Sequence, residues 1–314
     1  MSSQLASNGE IPRRPLGRTG VEVSALALGG YHIALAKSKK ESLRIVHEAV
    51  DAGVTFMDNA WEYHDGRSEE LMGKALEGRR RQVFLMTKVC THGRDRRTAM
   101  RQLEESLKRL KTDYLDLWQV HEVVYENDPD LHFADGGVIE ALEQAKSEGK
   151  VRFGGFTGHK HPSIHLKMLS YNYPFDTCQM PLNCFDGTFR SFEQQVLPEL
   201  NRRGIAPLGM KSFGGEGIPI QKRVVTPTEA LRYAMSLPVA ATVSGIDSLK
   251  VLKQNLRIAR DFTPMTAEEM QELRTRCAAH AADGRFEMYK TSIKFDGPPG
   301  RKQHKFPAME ELAA

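Results

Sequence analysis

Short apolar runs alternate with longer amphipathic stretches along most of the chain. The runs at 25–30, 55–58, 82–88, 114–120, 151–155, 176–180, 205–209 and 239–244 read as buried strands. Residues 39–52, 68–77, 96–110, 137–148, 161–171, 190–203, 227–236 and 247–260 carry apolar positions at helical spacing. In 96–110, Met100, Leu103, Leu107 and Leu110 recur at steps of three and four with Arg and Glu on the other side, the stripe of a helix laid on a sheet. Thr226 before Pro227 reads as a cap followed by proline at the first helical position, and Gly149 and Gly204 read as C-terminal stops.

Eight strand–helix repeats in one continuous length predict an α/β fold of the (β/α)8 TIM-barrel type. A doubly wound sheet fits less well, because no Gly-x-Gly-x-x-Gly turn follows the first strand. The expected organisation is an N-terminal segment, 1–24, with a hairpin in 13–24, then a barrel over 25–260. A C-terminal extension follows over 261–314, with a helix near 266–282 and a polar tail. A long loop, 122–136, interrupts the fourth unit on the side where barrel active sites lie.

On such a barrel, distant residues become neighbours. Asp58 ends the second strand, Tyr63 lies in the loop after it, Lys88 ends the third strand and His121 ends the fourth, so all four converge at the C-terminal mouth. Reduction of a carbonyl builds negative charge on oxygen as hydride reaches carbon, and a tyrosine hydroxyl can supply the compensating proton. A phenol has a pKa near 10, so Lys88 is expected to favour phenolate, with Asp58 orienting Lys88 and His121 stabilising the developing oxyanion. Gly29-Gly30, Gly154-Gly155 and the segment 209–217 place small residues after strands one, five and seven, where backbone can approach a nicotinamide or diphosphate.

At these residues the chain resembles the aldo-keto reductase superfamily. The resemblance is carried by 58-DNAWEY-63 followed by 66-GRSEELMGKAL-76, by 86-MTKV-89, 113-DYLDLWQVH-121 and 149-GKVRFGGFTG-158. It continues through 179-QMPLN-183, 204-GIAPLGMKSFGG-215 and 245-GIDSLKVLKQN-255, covering about residues 13–260 in order. It implies an NAD(P)(H)-dependent oxidoreductase that interconverts an aldehyde or ketone with an alcohol, with Tyr63 as general acid/base, Lys88 modulating its pKa, Asp58 pairing with the lysine and His121 orienting the substrate. Gln179 matches the glutamine that contacts the nicotinamide carboxamide. Thr157 and Gly158 stand where the family usually has Ser and Asn, and Met210 where many members have an aromatic residue under the ring. Gly30, Lys211, Ser212 and Gly214 join the expected cofactor site. So do Ser244, Gly245, Ser248, Lys250, Gln254 and Asn255, near a helix N-terminus at 247 that can receive a phosphate. Gly245 and Val251 replace a lysine and an arginine common in members that prefer NADPH. With Ser244, Ser248, Lys250, Gln254 and Asn255 still nearby, NADP(H) is nonetheless favoured, with NAD(H) as the other candidate. Tyr31, Trp61 and His121 are expected to shape the substrate pocket, together with His32, His92, the 122–136 loop and the tail.

A net charge of +4 with acidic residues interspersed throughout argues against nucleic acid as a partner and leaves a small molecule. No apolar run approaches a membrane span, and the N-terminus lacks a secretory pattern. Cys90, Cys178, Cys184 and Cys277 form no Cys-x-x-Cys pair and read as free thiols, so a cytoplasmic setting is expected. No stripe specifies an oligomer. Two alternatives stay open. One is a metal-dependent barrel hydrolase using His121, His159, His161 and Asp58, although this leaves Tyr63 and Lys88 unexplained and puts an ammonium beside a cation. The other is a nicotinamide-binding redox sensor or assembly protein with little turnover. His64, His92, His159 and His161 read as loop or surface residues rather than metal ligands.

Overall fold

A computed structural model describes residues 9–90 and 93–293; His92 and 294–314, named above for the pocket and tail, lie outside the described residues. Strands β1 (Arg13–Pro15) and β2 (Glu22–Ser24) form an antiparallel hairpin with Arg14 opposite Val23. Strands β3 (Leu26–Gly29), β4 (Phe56–Asp58), β5 (Phe84–Val89), β6 (Leu115–Val120), β7 (Val151–Thr157), β8 (Thr177–Pro181), β9 (Ala206–Met210) and β10 (Ala241–Gly245) form a closed parallel barrel in which β10 pairs with β3. Each of the eight expected runs is a strand, with ends displaced by no more than two residues. The α/β barrel expected from the sequence is therefore the fold.

Side chains that alternate inward along the strands fill the barrel. Ala27, Phe56, Phe84, Met86, Leu117, Ala206, Leu208, Ala241 and Val243 form one buried cluster, and Leu16 and Val23 of the hairpin close it at the N-terminal end. Complete burial of Leu16 stabilises this plug by about 2 kcal/mol. A second, larger core lies between the outward strand faces and the surrounding helices, and Leu103, Leu107 and Leu110 of the helix Arg96–Leu110 belong to it. The same helix passes so close to Arg67–Ala75 that a side chain at Gly73 would meet the backbone of Arg109 and Leu110.

The helix expected over 190–203 is instead two pieces, Phe192–Gln195 and Leu197–Arg203, joined at Val196. Pro198 has no N–H to donate to the carbonyl four residues earlier, so the helix cannot continue through it. Capping follows the sequence more closely. Thr226 and Thr266 each form a reciprocal capping box with a glutamate three residues on, starting the helices Pro227–Ser236 and Ala267–Ala281.

Loop 122–136 contains a short helix, Asp128–Phe133, and is held by a buried ion pair. Arg94 donates to Asp128 Oδ1 from Nε (3.0 Å) and Nη2 (2.7 Å), while Asp128 Oδ2 accepts from the amides of Val124 and Tyr125. Removing one partner leaves a buried, uncompensated charge, so Asp128→Ala is expected to cost about 3–5 kcal/mol, read as a lower denaturant midpoint. A midpoint within 0.5 kcal/mol of wild type, on the order of an ordinary surface change, would contradict this.

The C-terminal segment is fixed by a second buried network. Lys290 donates to Asp186 (2.6 Å) and Glu287 (2.8 Å), and Tyr289 donates to Glu287 (2.7 Å). This lays the short helix Met288–Thr291 against the loop after β8. No helix among the described residues is long and apolar enough to cross a membrane.

Candidate active site

Asp58 is the last residue of β4, opposite Gly29 of β3. The following loop is pinned to the next strand by the Trp61 amide, which donates to Lys88 O at 3.1 Å. This hands Tyr63 to a position over Lys88. His64, Asp65 and Gly66 then take left-handed backbone angles (φ 52°, 56° and 88°) that turn the chain into the helix Arg67–Ala75. His121 follows β6 directly, and Arg94 Nη1 reaches its carbonyl at 3.5 Å.

The four residues meet. Lys88 Nζ donates to Asp58 Oδ1 (2.8 Å) and Asn59 O (2.7 Å) and lies 3.4 Å from the Tyr63 hydroxyl. Asp58 Oδ2 accepts from Gln179 Nε2 at 2.8 Å. The Tyr63 and His121 rings stand edge to face with centroids 5.8 Å apart, and Tyr31 packs edge-on to Tyr63 at 5.3 Å. Burial pushes the Tyr63 phenol well above its ordinary value, and the charges of Asp58, Glu62 and Glu122 push the same way. The net direction is thus opposite to the pull toward phenolate expected of Lys88: this arrangement holds Tyr63 as a proton-bearing phenol. Burial also lowers the pKa of Lys88, against the upward pull of Asp58.

A cavity of about 660 Å³ opens over these groups. Asp58, Tyr63, His121 and Gln179 line it, and so do Tyr31, Met210, Lys211, Ser212 and Gly245 from the expected cofactor and substrate sets. The other expected residues are placed differently. Trp61 does not line the cavity: its indole donates to Glu105 (2.7 Å) and its ring lies under Arg109, on the outer helix layer. Gly30 and Gly158 are close-packed, and a side chain would meet the backbone of Asp58 at the first and of Val123 at the second. The Gly158 N–H, the one donor that residue can offer a ligand, already donates to Gln179 O at 3.3 Å. Gly214 has φ 72° and sits against Phe286 O.

At the far rim, Ser244 and Asn255 are buried and bonded to each other (3.0 Å). Gln254 reaches Asn255 at 3.4 Å, and Lys250 is exposed. The helix expected from 247 begins at Leu249, with Ser248 as its cap, and its Leu249 amide donates to Glu41 Oε1 at 3.4 Å.

Among the described residues, two buried polar atoms lack partners where the resemblance places a carboxamide: Gln179 Oε1 and Thr157 Oγ1, on residues that are register partners on β8 and β7. Because ionised Asp58 only accepts, it must face the amide nitrogen of Gln179, which leaves Oε1 as an acceptor. These groups fit the amide of a nicotinamide.

Glu62, Glu122 and His159 also line the cavity and were not assigned to the hydride-transfer site from the sequence. Glu62 Oε1 lies 2.8 Å from His121 Nδ1, and Glu122 Oε1 lies 3.3 Å from His159 Nδ1. His159, read above as a loop or surface residue, is instead buried beside the site, with Tyr289 packed edge-on at 5.9 Å. Burial and the nearby charges of Lys211 and Lys160 push its pKa well below the ordinary histidine value. The available signal was adjacency, since Glu62 precedes Tyr63 and Glu122 follows His121. Among the described residues, no group of three His, Cys, Asp or Glu is arranged to hold a metal ion.

The sequence model of the aldo/keto reductase family matches residues 25–223. The Bacillus subtilis (strain 168) protein "Uncharacterized oxidoreductase YqkF" is 26% identical over 303 residues, covering 84% of this chain and 95% of that protein. The holo form of an aldo-keto reductase from Bacillus halodurans superposes with a TM-score of 0.72 at 25% identity, covering 88% of this chain and 100% of that one. A Klebsiella pneumoniae aldo/keto reductase, solved with NADP and acetate, shares the fold with a TM-score of 0.69 at 22% identity, over 85% and 96% of the two chains. Most of the barrel falls within the matched span, and with it Asp58, Tyr63, Lys88 and His121; the chain belongs to the aldo/keto reductase family.

Proposed function

We propose that this chain interconverts an aldehyde or ketone with an alcohol by hydride transfer, using NADP(H). The observation that carries this reading is the Tyr63 hydroxyl, 3.4 Å from Lys88 Nζ on the wall of a cavity shared with His121. When bound, the dihydronicotinamide supplies the hydride. Gln179 Oε1 and Thr157 Oγ1 would hold its carboxamide, and Met210 would contact the ring through dispersion and its polarisable sulfur.

Tyr63 donates its proton to the carbonyl oxygen as charge develops there, and the adjacent Lys88 ammonium stabilises the phenolate left behind. Asp58 holds Lys88 in place and accepts from Gln179, whose Oε1 would meet the cofactor amide. His121 aligns the substrate oxygen from the other side of Tyr63. In the oxidative direction the same phenolate receives the alcohol proton.

The Klebsiella pneumoniae relative's complex supports NADP as the cofactor. NAD(H) remains the second reading on a specific observation: the Glu41 carboxylate faces the first amide of the helix Leu249–Arg260, and Gly245 and Val251 offer no cation to a 2'-phosphate. A matched screen of NADPH and NADH against diverse carbonyls, with product identification, tests both. Carbonyl-dependent oxidation of the dinucleotide is expected, faster with NADPH. A protein that binds the dinucleotide tightly yet oxidises it with no carbonyl would overturn the enzymatic reading in favour of a sensor.

A further inference from the structure

Glu62 reaches the imidazole that faces Tyr63. Its Oε1 lies 2.8 Å from His121 Nδ1, out of line for a hydrogen bond but close enough to act on the ring through its charge, and among the described residues that nitrogen has no hydrogen-bond partner. Its Oε2 accepts from Cys90 Sγ at 2.5 Å, and the Cys90 amide is itself held by Gln102 Oε1 at 2.9 Å. The carboxylate is therefore anchored from β5 while it addresses a residue following β6. Both Glu62 and His121 line the cavity.

A neutral imidazole carries one N–H, and a carboxylate beside Nδ1 selects the form with the proton there. Nε2 is then bare. It can accept from an alcohol hydroxyl but has nothing to donate to a carbonyl oxygen. Only the imidazolium offers an N–H at Nε2, and burial opposes that charged form. Glu62 supplies the nearest compensating charge. The other charges acting on His121 are Asp58 on β4, which favours the cation, and Lys88 on β5, which opposes it. Across the mouth stands His159 after β7, which Glu122 engages. The burial penalty leads, and the contact with Glu62 is the largest opposing influence.

We propose that Glu62 is a positioning residue that sets the hydrogen-bonding character of His121, holding the proton on Nδ1 so that Nε2 receives an alcohol, and stabilising the imidazolium so that Nε2 donates to a carbonyl. The inference rests on the reading of the cavity as a carbonyl-reducing site. It makes reduction and alcohol oxidation depend on opposite protonation states of one ring. The sign follows directly: removing the Glu62 charge lowers the His121 pKa, so the fall of reduction with rising pH moves to lower pH.

Long-range proton–nitrogen NMR of the histidine rings tests this in the full chain without cofactor, using wild type, Glu62→Gln and Glu62→Asp, with His121→Gln to identify the signal. Wild type is expected to show the Nδ1–H form above the His121 pKa. In Glu62→Gln that pKa should fall by about one pH unit or more, and in Glu62→Asp, which keeps the charge on a shorter stem, by less. The same variants should move the reduction limb of kcat/KM by the same amount, about a tenfold loss at a fixed pH on that limb. An unchanged His121 pKa in the variants that fold, or the Nε2–H form in wild type, overturns the proposal. If no carbonyl is turned over at all, the functional reading fails while the ring titration still decides whether Glu62 controls His121.

Discussion

Tyr63→Phe is expected to lower carbonyl turnover by about 10²–10⁴-fold while leaving the fold and dinucleotide binding intact. The hydroxyl is the group lost, and in the described structure its neighbour is Lys88 Nζ at 3.4 Å, which keeps its stronger partners Asp58 and Asn59 O. The ring itself remains packed between Tyr31 and His121, so stability should change little. Because burial and nearby carboxylates hold the phenol well above its ordinary pKa, Tyr63 should impose no loss of reduction as pH rises through neutrality. Steady-state kinetics paired with a dinucleotide binding titration checks both halves. Turnover within a factor of a few of wild type would remove Tyr63 as the proton donor.

Lys88→Met should affect stability and activity together. The substitution keeps most of the volume but strands the Asp58 carboxylate, which is only 3% exposed, with Gln179 as its remaining partner. Breaking such a buried pair from one side costs about 3–5 kcal/mol. Adding Asp58→Asn removes the stranded charge, so the double variant should recover much of the stability measured in urea. It should not recover turnover, since neither change restores a cation beside Tyr63. A double variant as active as wild type would show that the ammonium has no part in proton transfer. One as unstable as the single variant would show that the loss came from packing.

Much of this site was legible because its main residues sit at strand ends. In a parallel barrel the C-terminal ends of all strands face one mouth, so locating the strand that precedes Asp58, Lys88, His121 or Gln179 also locates the side chain. What escaped the sequence depended on the orientation of loop side chains and on remote segments. Trp61 lies between Asp58 and Tyr63, yet its indole turns outward because Glu105 and Arg109, on the following helix layer, receive it. Glu62 and Glu122 are loop glutamates of the kind usually left in water, and the contacts they make inside the mouth, among them the imidazoles of His121 and His159, come from residues remote in sequence or across the barrel.

His159 is buried partly by Tyr289, 130 positions further along, a contact no local pattern encodes. Ser244 and Asn255 offered polar atoms in the sequence that the fold spends on each other. The break at Val196, by contrast, was visible as Pro198 and needed only the missing donor to be counted.

The hairpin plug closes one end of the barrel. With Leu16 and Val23 stopping that end, the described residues leave Tyr63 open to ligands from the C-terminal mouth, where Tyr31 and Lys211 are among the lining residues. On the proposed reading, dinucleotide and carbonyl compound would share that mouth, so the release of either one, as well as the chemistry, can set the pace of the cycle.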